Sequence, residues 1–195
     1  MSRKLGLERD TNETSIALEL DIDGSGNYDI DTGIGFFNHM LEGFARHGLF
    51  DLVLRVKGDI EVDAHHTVED TGIALGAAFA EALGEKEGIA RFGTFILPMD
   101  DALVLASLDF SGRPYLAFEA DLTAPLLGTM ETETVREFFA GFVNGAAINL
   151  HIRQIAGENT HHIVEAMFKA FAKALDLATR IDPRIEGVLS TKGVL

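Results

Sequence analysis

The segment His-His-Thr-Val-Glu at residues 65–69 returns as His-His-Ile-Val-Glu at residues 161–165, 96 positions later in a chain of 195. Self-similarity at half the chain length implies two copies of one structural unit. Each copy carries the same set of metal-ligand side chains, so a fold for this chain must present two equivalent helix starts.

A helical wheel of about 100° per residue places Val68, Gly72, Leu75, Phe79 and Ala82 on one stripe. His65, Glu69 and His66 lie beside that stripe, over roughly a quarter turn. Val164, Phe168, Phe171 and Leu175 form the matching stripe next to His161, Glu165 and His162. His65–Glu69 and His161–Glu165 are i,i+4 pairs, close enough to share an ion. The two histidines of each pair point apart and could serve different ions.

Patterning on either side of these helices is also duplicated. Residues 15–23 alternate as a half-buried strand, 23–27 (DGSGN) read as a turn, and 28–31 as a returning strand. A helix follows over 35–47 with Phe37, Met40, Leu41 and Phe44 on its apolar face, then a strand over 52–57 and a helix over 67–83. The second half predicts strands over 102–109 and 115–120 around the turn Ser111-Gly-Arg-Pro114. It continues with a helix over 135–147, a strand over 148–153 and a helix over 162–178. Glycines at 84, 88 and 93 mark the joint between units, which we place at 1–88 and 89–195 within one compact domain. The class is α/β (α+β): a duplicated unit whose helices pack together between two mixed β-sheets.

Composition narrows the chemistry. The chain has no cysteine, so any metal must sit on nitrogen and oxygen, which suits Mn, Zn, Fe, Ni or Co. A net charge of −15 argues against nucleic acid as a partner. A small phosphorylated ligand needs only a few local cations and stays open. There is no apolar run near the roughly 18 residues of a membrane span and no signal-peptide pattern, so a cytoplasmic protein is expected.

His39, on the polar side of the first short helix, and His151, on the polar face of a strand with Asn149 and Arg153, extend the ligand set to six imidazoles and two carboxylates. Shared between two ions, that is about four protein ligands each, leaving positions for substrate or water. The residues alone admit a dimetal hydrolase that activates water, or a metal-storage protein, as well as a lyase.

The segments 9–14 (RDTNET), 32–41 (TGIGFFNHML), 46–51 (RHGLFD), 65–73 (HHTVEDTGI), 111–114 (SGRP), 157–162 (GENTHH) and 190–193 (STKG) together resemble the imidazoleglycerol-phosphate dehydratase family over nearly the whole chain. The resemblance implies a duplicated unit of the ribosomal-protein-S5-domain-2-like type. It implies dehydration of D-erythro-imidazoleglycerol phosphate to imidazole acetol phosphate in histidine biosynthesis, with two Mn(2+) per active site stabilising an imidazolate. It also implies active sites shared between subunits of a 24-chain homo-oligomer. Carried over by position, the metal ligands are His39, His65, His66, Glu69, His151, His161, His162 and Glu165, and Glu13 is the general acid/base. Arg91, Arg113, Lys169, Ser190 and Lys192 become candidates for binding the phosphorylated substrate. The chain departs from the family pattern at Asn38, commonly Asp, and at Gly43, often Gln. The first departure bears on a carboxylate partner for His39, the second on a polar substrate contact.

Overall fold

The computed structural model describes residues 3–195. The first half runs β1 (Lys4–Asp10), β2 (Thr14–Asp21), β3 (Tyr28–Asp31), α1 (Gly35–Gly48), β4 (Asp51–Gly58) and α2 (His65–Leu83). The second runs β5 (Phe92–Met99), β6 (Ala102–Asp109), β7 (Tyr115–Glu119), a small hairpin of β8 (Leu126–Leu127) and β9 (Met130–Glu131), then α3 (Thr134–Ala146), β10 (Asn149–Ala156) and α4 (Thr160–Thr179). The sheet orders are β1-β2-β4-β3 and β5-β6-β10-β7, so the duplication extends to strand topology. Even the helix ends match: α1 stops at Leu49 (φ 61°) and α3 at Ala147 (φ 51°), both left-handed, with the cap N–H donating to Ala45 O and Val143 O. A non-glycine residue pays about 1–2 kcal/mol to sit there, and this chain accepts it twice at the same place.

The strand over 28–31 does return alongside β2 in direction, but not as its neighbour. β4 lies between them, antiparallel to β2 and parallel to β3. β10 separates β6 from β7 in the same way. Alternation reports which face a strand buries, not its neighbours, and a helical crossover such as α1 or α3 returns the chain to the middle of the sheet. Within the two four-stranded sheets, two strands escape the pattern reading, β1 and β5. Both are sheet edges, half-buried, and β5 carries Pro98, which edge strands tolerate.

Each sheet turns one face to the helices. Ile16, Leu18 and Leu20 of β2 and Leu52 and Leu54 of β4 are buried beneath the first pair of helices, and Val104, Leu108, Leu150 and Ile152 beneath the second. Between the sheets lies a phenylalanine-rich core that includes Phe37, Phe44, Phe79, Phe138, Phe139, Phe142, Phe168 and Phe171, all under 2% exposed. Each such ring contributes about 1.5–3 kcal/mol of burial.

The helix pairs cross between halves, α1 on α4 and α2 on α3, but with different fillings. Aromatic rings separate the first pair, with Phe44 and Phe171 at 5.8 Å between centroids. The second pair touches backbone to backbone through glycines. A Cβ on Gly72 would lie 2.3 Å from Phe138 O, and one on Gly141 2.5 Å from Glu69 O. The glycine contact therefore fixes the first turn of α2, where His65, His66 and Glu69 reside.

Candidate metal centre

α4 begins at Asn159, whose backbone is extended (φ −75°, ψ 110°) and whose side-chain oxygen accepts the N–H groups of His161 (3.0 Å) and His162 (3.3 Å). Such a cap fixes the first turn. His161 Nε2 then stands 3.3 Å from Glu165 Oε2, and α1 brings His39 Nε2 to within 3.8 Å of the same oxygen. One ligand atom from each of the three lies within 4.8 Å of the others. Ligands about 2.0–2.2 Å from a shared ion stand at most about 4.4 Å apart, so small side-chain rotations suffice. Two imidazoles and a carboxylate aimed at one point fit a borderline divalent ion. Phe36 packs edge-on against His161 at 5.2 Å and closes one side.

Glu165 is the best-protected carboxylate of the group, with its side chain 11% exposed and Oε1 bonded to Lys169 Nζ at 2.6 Å. Partial burial pushes its carboxyl up, but the Lys169 hydrogen bond and charge, helped by His39 and His161, outweigh this and hold it below the ordinary carboxylate range.

The start of α2 repeats half of this arrangement. His65 Nε2 is 3.6 Å from Glu69 Oε2, but Glu69 is 39% exposed. Among the described residues, no third ligand closes on this pair. The strand and helix ends equate position 39 of α1 with Glu137 of α3, so the duplication supplies no second His39.

His66 and His162 are turned away from their neighbours by 82° and 80°, at 6.0 Å between centroids in both copies. Each is gripped at Nδ1 by a carboxylate: His66 by Asp59 Oδ2 at 2.9 Å, His162 by Asp101 Oδ1 at 2.6 Å. That hydrogen bond leaves Nε2 as the free nitrogen, the arrangement expected of a metal-binding imidazole. The Asp59 bond, opposed by desolvation and aided by Glu13, raises the pKa of His66 above 6.5. Main-chain N–H groups of Asn159 and Glu158, and then His162, hold the Asp101 carboxyl well below its usual range. Facing the free nitrogens are Glu13 Oε1, 3.8 Å from His66, and Asp100 Oδ2, 3.6 Å from His162. Sequence reading missed Asp59 and Asp101. Asp101 lies 61 positions from its histidine, and Asp59 sits in a loop whose path no periodicity reveals.

His151 lies elsewhere. Leu150 and Ile152 face the helices, so His151 projects from the outer face of the second sheet, 5.7 Å from the Tyr115 ring. It joins none of the other imidazoles within the protomer. Asn38, at one of the family departures, makes no side-chain hydrogen bond to His39; its side-chain oxygen accepts from Thr32 N (2.9 Å) and Thr32 Oγ1 (2.6 Å), tying down the loop before α1. A Cβ on Gly43 would meet only open space.

The candidate anion-binding residues form a second group. Arg91 holds Asp109 through Nε (2.7 Å) and Nη2 (3.1 Å), and donates through Nη1 to Leu189 O (2.7 Å). Ser190 Oγ accepts from Lys192 N at 3.2 Å. The end of the chain reaches Gly112, beside Arg113, whose Nη1 donates to Ser111 O. A groove of about 510 Å³ runs between Arg91, Arg184 and Ser190. Arg91 N donates to Ala178 O, at the far end of α4 from His161. Seventeen residues of helix separate the two, about 25 Å at 1.5 Å per residue. Lys169 alone stands with the imidazoles. The other large grooves, over Leu5, Glu19 and Val53 on the outer face of the first sheet, contain no imidazole.

The family model described as imidazoleglycerol-phosphate dehydratase matches residues 32–175. Imidazoleglycerol-phosphate dehydratases of Lachnoclostridium phytofermentans and Acetivibrio thermocellus are each 60% identical over 195 residues, covering all of this chain and of theirs. The crystal structure of the Staphylococcus aureus enzyme superposes with a TM-score of 0.83 at 38% identity, over 92% of this chain and 99% of that one. The Pyrococcus furiosus enzyme in complex with (S)-C348 superposes with a TM-score of 0.85 at 39% identity, over 97% and 100%. On these grounds, the chain belongs to the imidazoleglycerol-phosphate dehydratase family.

Proposed function

We propose that this chain removes water from D-erythro-imidazoleglycerol phosphate to give imidazole acetol phosphate, with two Mn(2+) ions per site and sites completed by neighbouring copies of the chain. Family membership makes it a hydro-lyase of histidine biosynthesis. The observation that carries the finer reading is the convergence of His39, His161 and Glu165 between α1 and α4. These three would hold one ion. His65 and Glu69 would hold the other, and His66, His162 and His151 would complete both shells from adjoining protomers. The ions, when bound, would supply Lewis-acid charge to the two nitrogens of an imidazole ring, favouring its imidazolate form.

The rest of the chemistry falls to the chain. Glu13, 53% exposed beside His66, would take the proton from the carbon next to the departing hydroxyl. Loss of that proton and of the hydroxyl, which leaves as water, gives an enol. Return of a proton to the ring-side carbon gives the ketone. Arg91, Arg113, Ser190 and Lys192 would bind the phosphate. Their separation from His161 along α4 is longer than so small a substrate, so the phosphate group and the imidazole would be held by different protomers. Lys169, anchored to Glu165, would reach substrate only beside the metal. The chains would assemble as a 24-chain homo-oligomer and act in the cytoplasm, a reading that the family resemblance supports. Among the described residues, no helix is long and apolar enough to cross a membrane.

The test is to incubate the Mn-loaded protein with imidazoleglycerol phosphate and assay for an enolisable keto phosphate. Release of inorganic phosphate instead would favour a dimetal hydrolase.

A further inference from the structure

One correspondence between the two halves is not a simple copy. β2 and β4 pair Thr14 with Gly58, while in the second half Gly157 packs against Ala102, its Cβ position 2.8 Å from the Ala102 Cα. Glu13 therefore corresponds to Asp101, and Asp59 to Glu158. In the second half the turn residue, Asp101, grips Nδ1 of His162, and the main-chain N–H of Glu158 donates to the other oxygen of Asp101 at 2.7 Å. In the first half the parts are exchanged. The loop residue, Asp59, grips Nδ1 of His66, and its own N–H donates to the carbonyl of Glu13 at 3.1 Å. The turn carboxylate of Glu13 is thereby released from Nδ1 and faces Nε2.

We propose that Asp59 is a positioning residue for the reaction, whose carboxylate holds His66 with Nε2 as its free nitrogen and so sets that nitrogen opposite Glu13. The proposal rests on the reading of His66 and Glu13 as active-site residues. Contacts around Asp59 form a closed ring: Glu13 carbonyl to Asp59 N–H, Asp59 carboxylate to His66 Nδ1, His66 Nε2 to Glu13 carboxylate. The turn is secured independently from its other side. Thr11 Oγ1 accepts from Glu13 N (3.1 Å) and Thr14 N (2.9 Å), and Thr14 Oγ1 donates to Asp70 Oδ2 (2.5 Å), which also pairs with Arg9. With the turn fixed, the orientation of His66 is the remaining freedom, and Asp59 removes it. Asp59 Oδ1 is buried without a hydrogen-bond partner. A buried carboxylate oxygen left without a partner calls for a reason beyond packing.

The experiment compares wild type with Asp59→Ala and Asp59→Asn. Mn(2+) affinity and stoichiometry are measured by equilibrium dialysis without substrate, and kcat and KM are measured separately. Asp59→Ala is expected to weaken Mn(2+) binding about 10–100-fold at one site per chain and to lower kcat with little change in KM. Asp59→Asn keeps an acceptor for Nδ1–H and is expected to recover most of the Mn(2+) affinity. Wild-type Mn(2+) affinity in Asp59→Ala overturns the proposal. So does an Asn variant as impaired as the Ala variant, since the hydrogen bond would then not be the cause. Because Mn(2+) is the probe and no substrate is present, an error in the dehydratase reading would leave the expected binding result intact and appear only in turnover.

Discussion

Lys169 Nζ lies 2.6 Å from Glu165 Oε1, one helical turn further along α4, while Glu165 Oε2 faces His39 and His161. The two oxygens of one carboxylate thus have separate duties, one to an ammonium and one to the imidazoles. Lys169→Met should let the Glu165 carboxyl rise toward and above its ordinary 4.5, because burial would then act without its main opponent. A carboxyl depressed in the folded state adds stability that is complete above the unfolded value and is lost as pH falls through the folded one. The metal-free wild type should therefore hold part of its stability down to below pH 4.5. Lys169→Met should lack this contribution at neutral pH, and with its folded carboxyl no longer below the unfolded value its acid limb should be flatter, as read from urea midpoints across a pH series. Unchanged acid limbs would mean that Lys169 does not set the charge on Glu165.

Gly141→Ala tests whether backbone contact fixes the first turn of α2. The added Cβ would sit 2.5 Å from Glu69 O and 3.0 Å from Ile73 N, neither the end of a flexible side chain. A loss of about 1–3 kcal/mol is expected by denaturant unfolding, with weaker Mn(2+) binding at the His65–Glu69 pair. Gly43→Ala is the control. It lies in α1 with nothing within 4 Å of its Cβ, and should stabilise by about 0.5–1 kcal/mol.

Much of this arrangement is legible in the sequence, and the reasons are local. The stripes of Val68 and Val164 locate both long helices because a buried helix face repeats every 3.6 residues whatever it packs on. The twin histidine pairs are legible as candidate metal ligands because i,i+4 geometry is a property of the helix alone. What depended on distant neighbours was not legible. The position of β4 between β2 and β3, the separation of His151 from the other imidazoles within the protomer and the grip of Asp101 on His162 all need the tertiary fold. Asn38, which by family resemblance bears on His39, serves Thr32 instead, a partner that adjacency in sequence does not reveal.

The two histidine clusters should differ in their dependence on assembly. His39, His161 and Glu165 meet within one protomer, and His65 and Glu69 do not find a third ligand there. Dilution of the metal-free protein to dissociated chains, followed by Mn(2+) titration, should give one tighter site per chain, and His39→Ala should abolish it. Two equally tight ions on an isolated chain would contradict this division.

Complementation between chains separates a composite site from a self-sufficient one. Within a protomer about 25 Å of helix lies between His161 and the Arg91–Ser190 group. A chain with His161→Ala keeps the residues proposed to bind phosphate, and a chain with Lys192→Ala keeps its imidazoles. Each alone should be nearly inactive or severely raised in KM. If sites form across protomers, dissociating and reassembling the two variants together brings an intact half from each chain into some sites, and dehydratase activity should reappear. If one chain supplied both groups to its own site, every site in the mixed assembly would stay defective and the mixture would show only the average of the two variants. Specific activity before and after reassembly, with mixed oligomers confirmed by native mass spectrometry, decides between them.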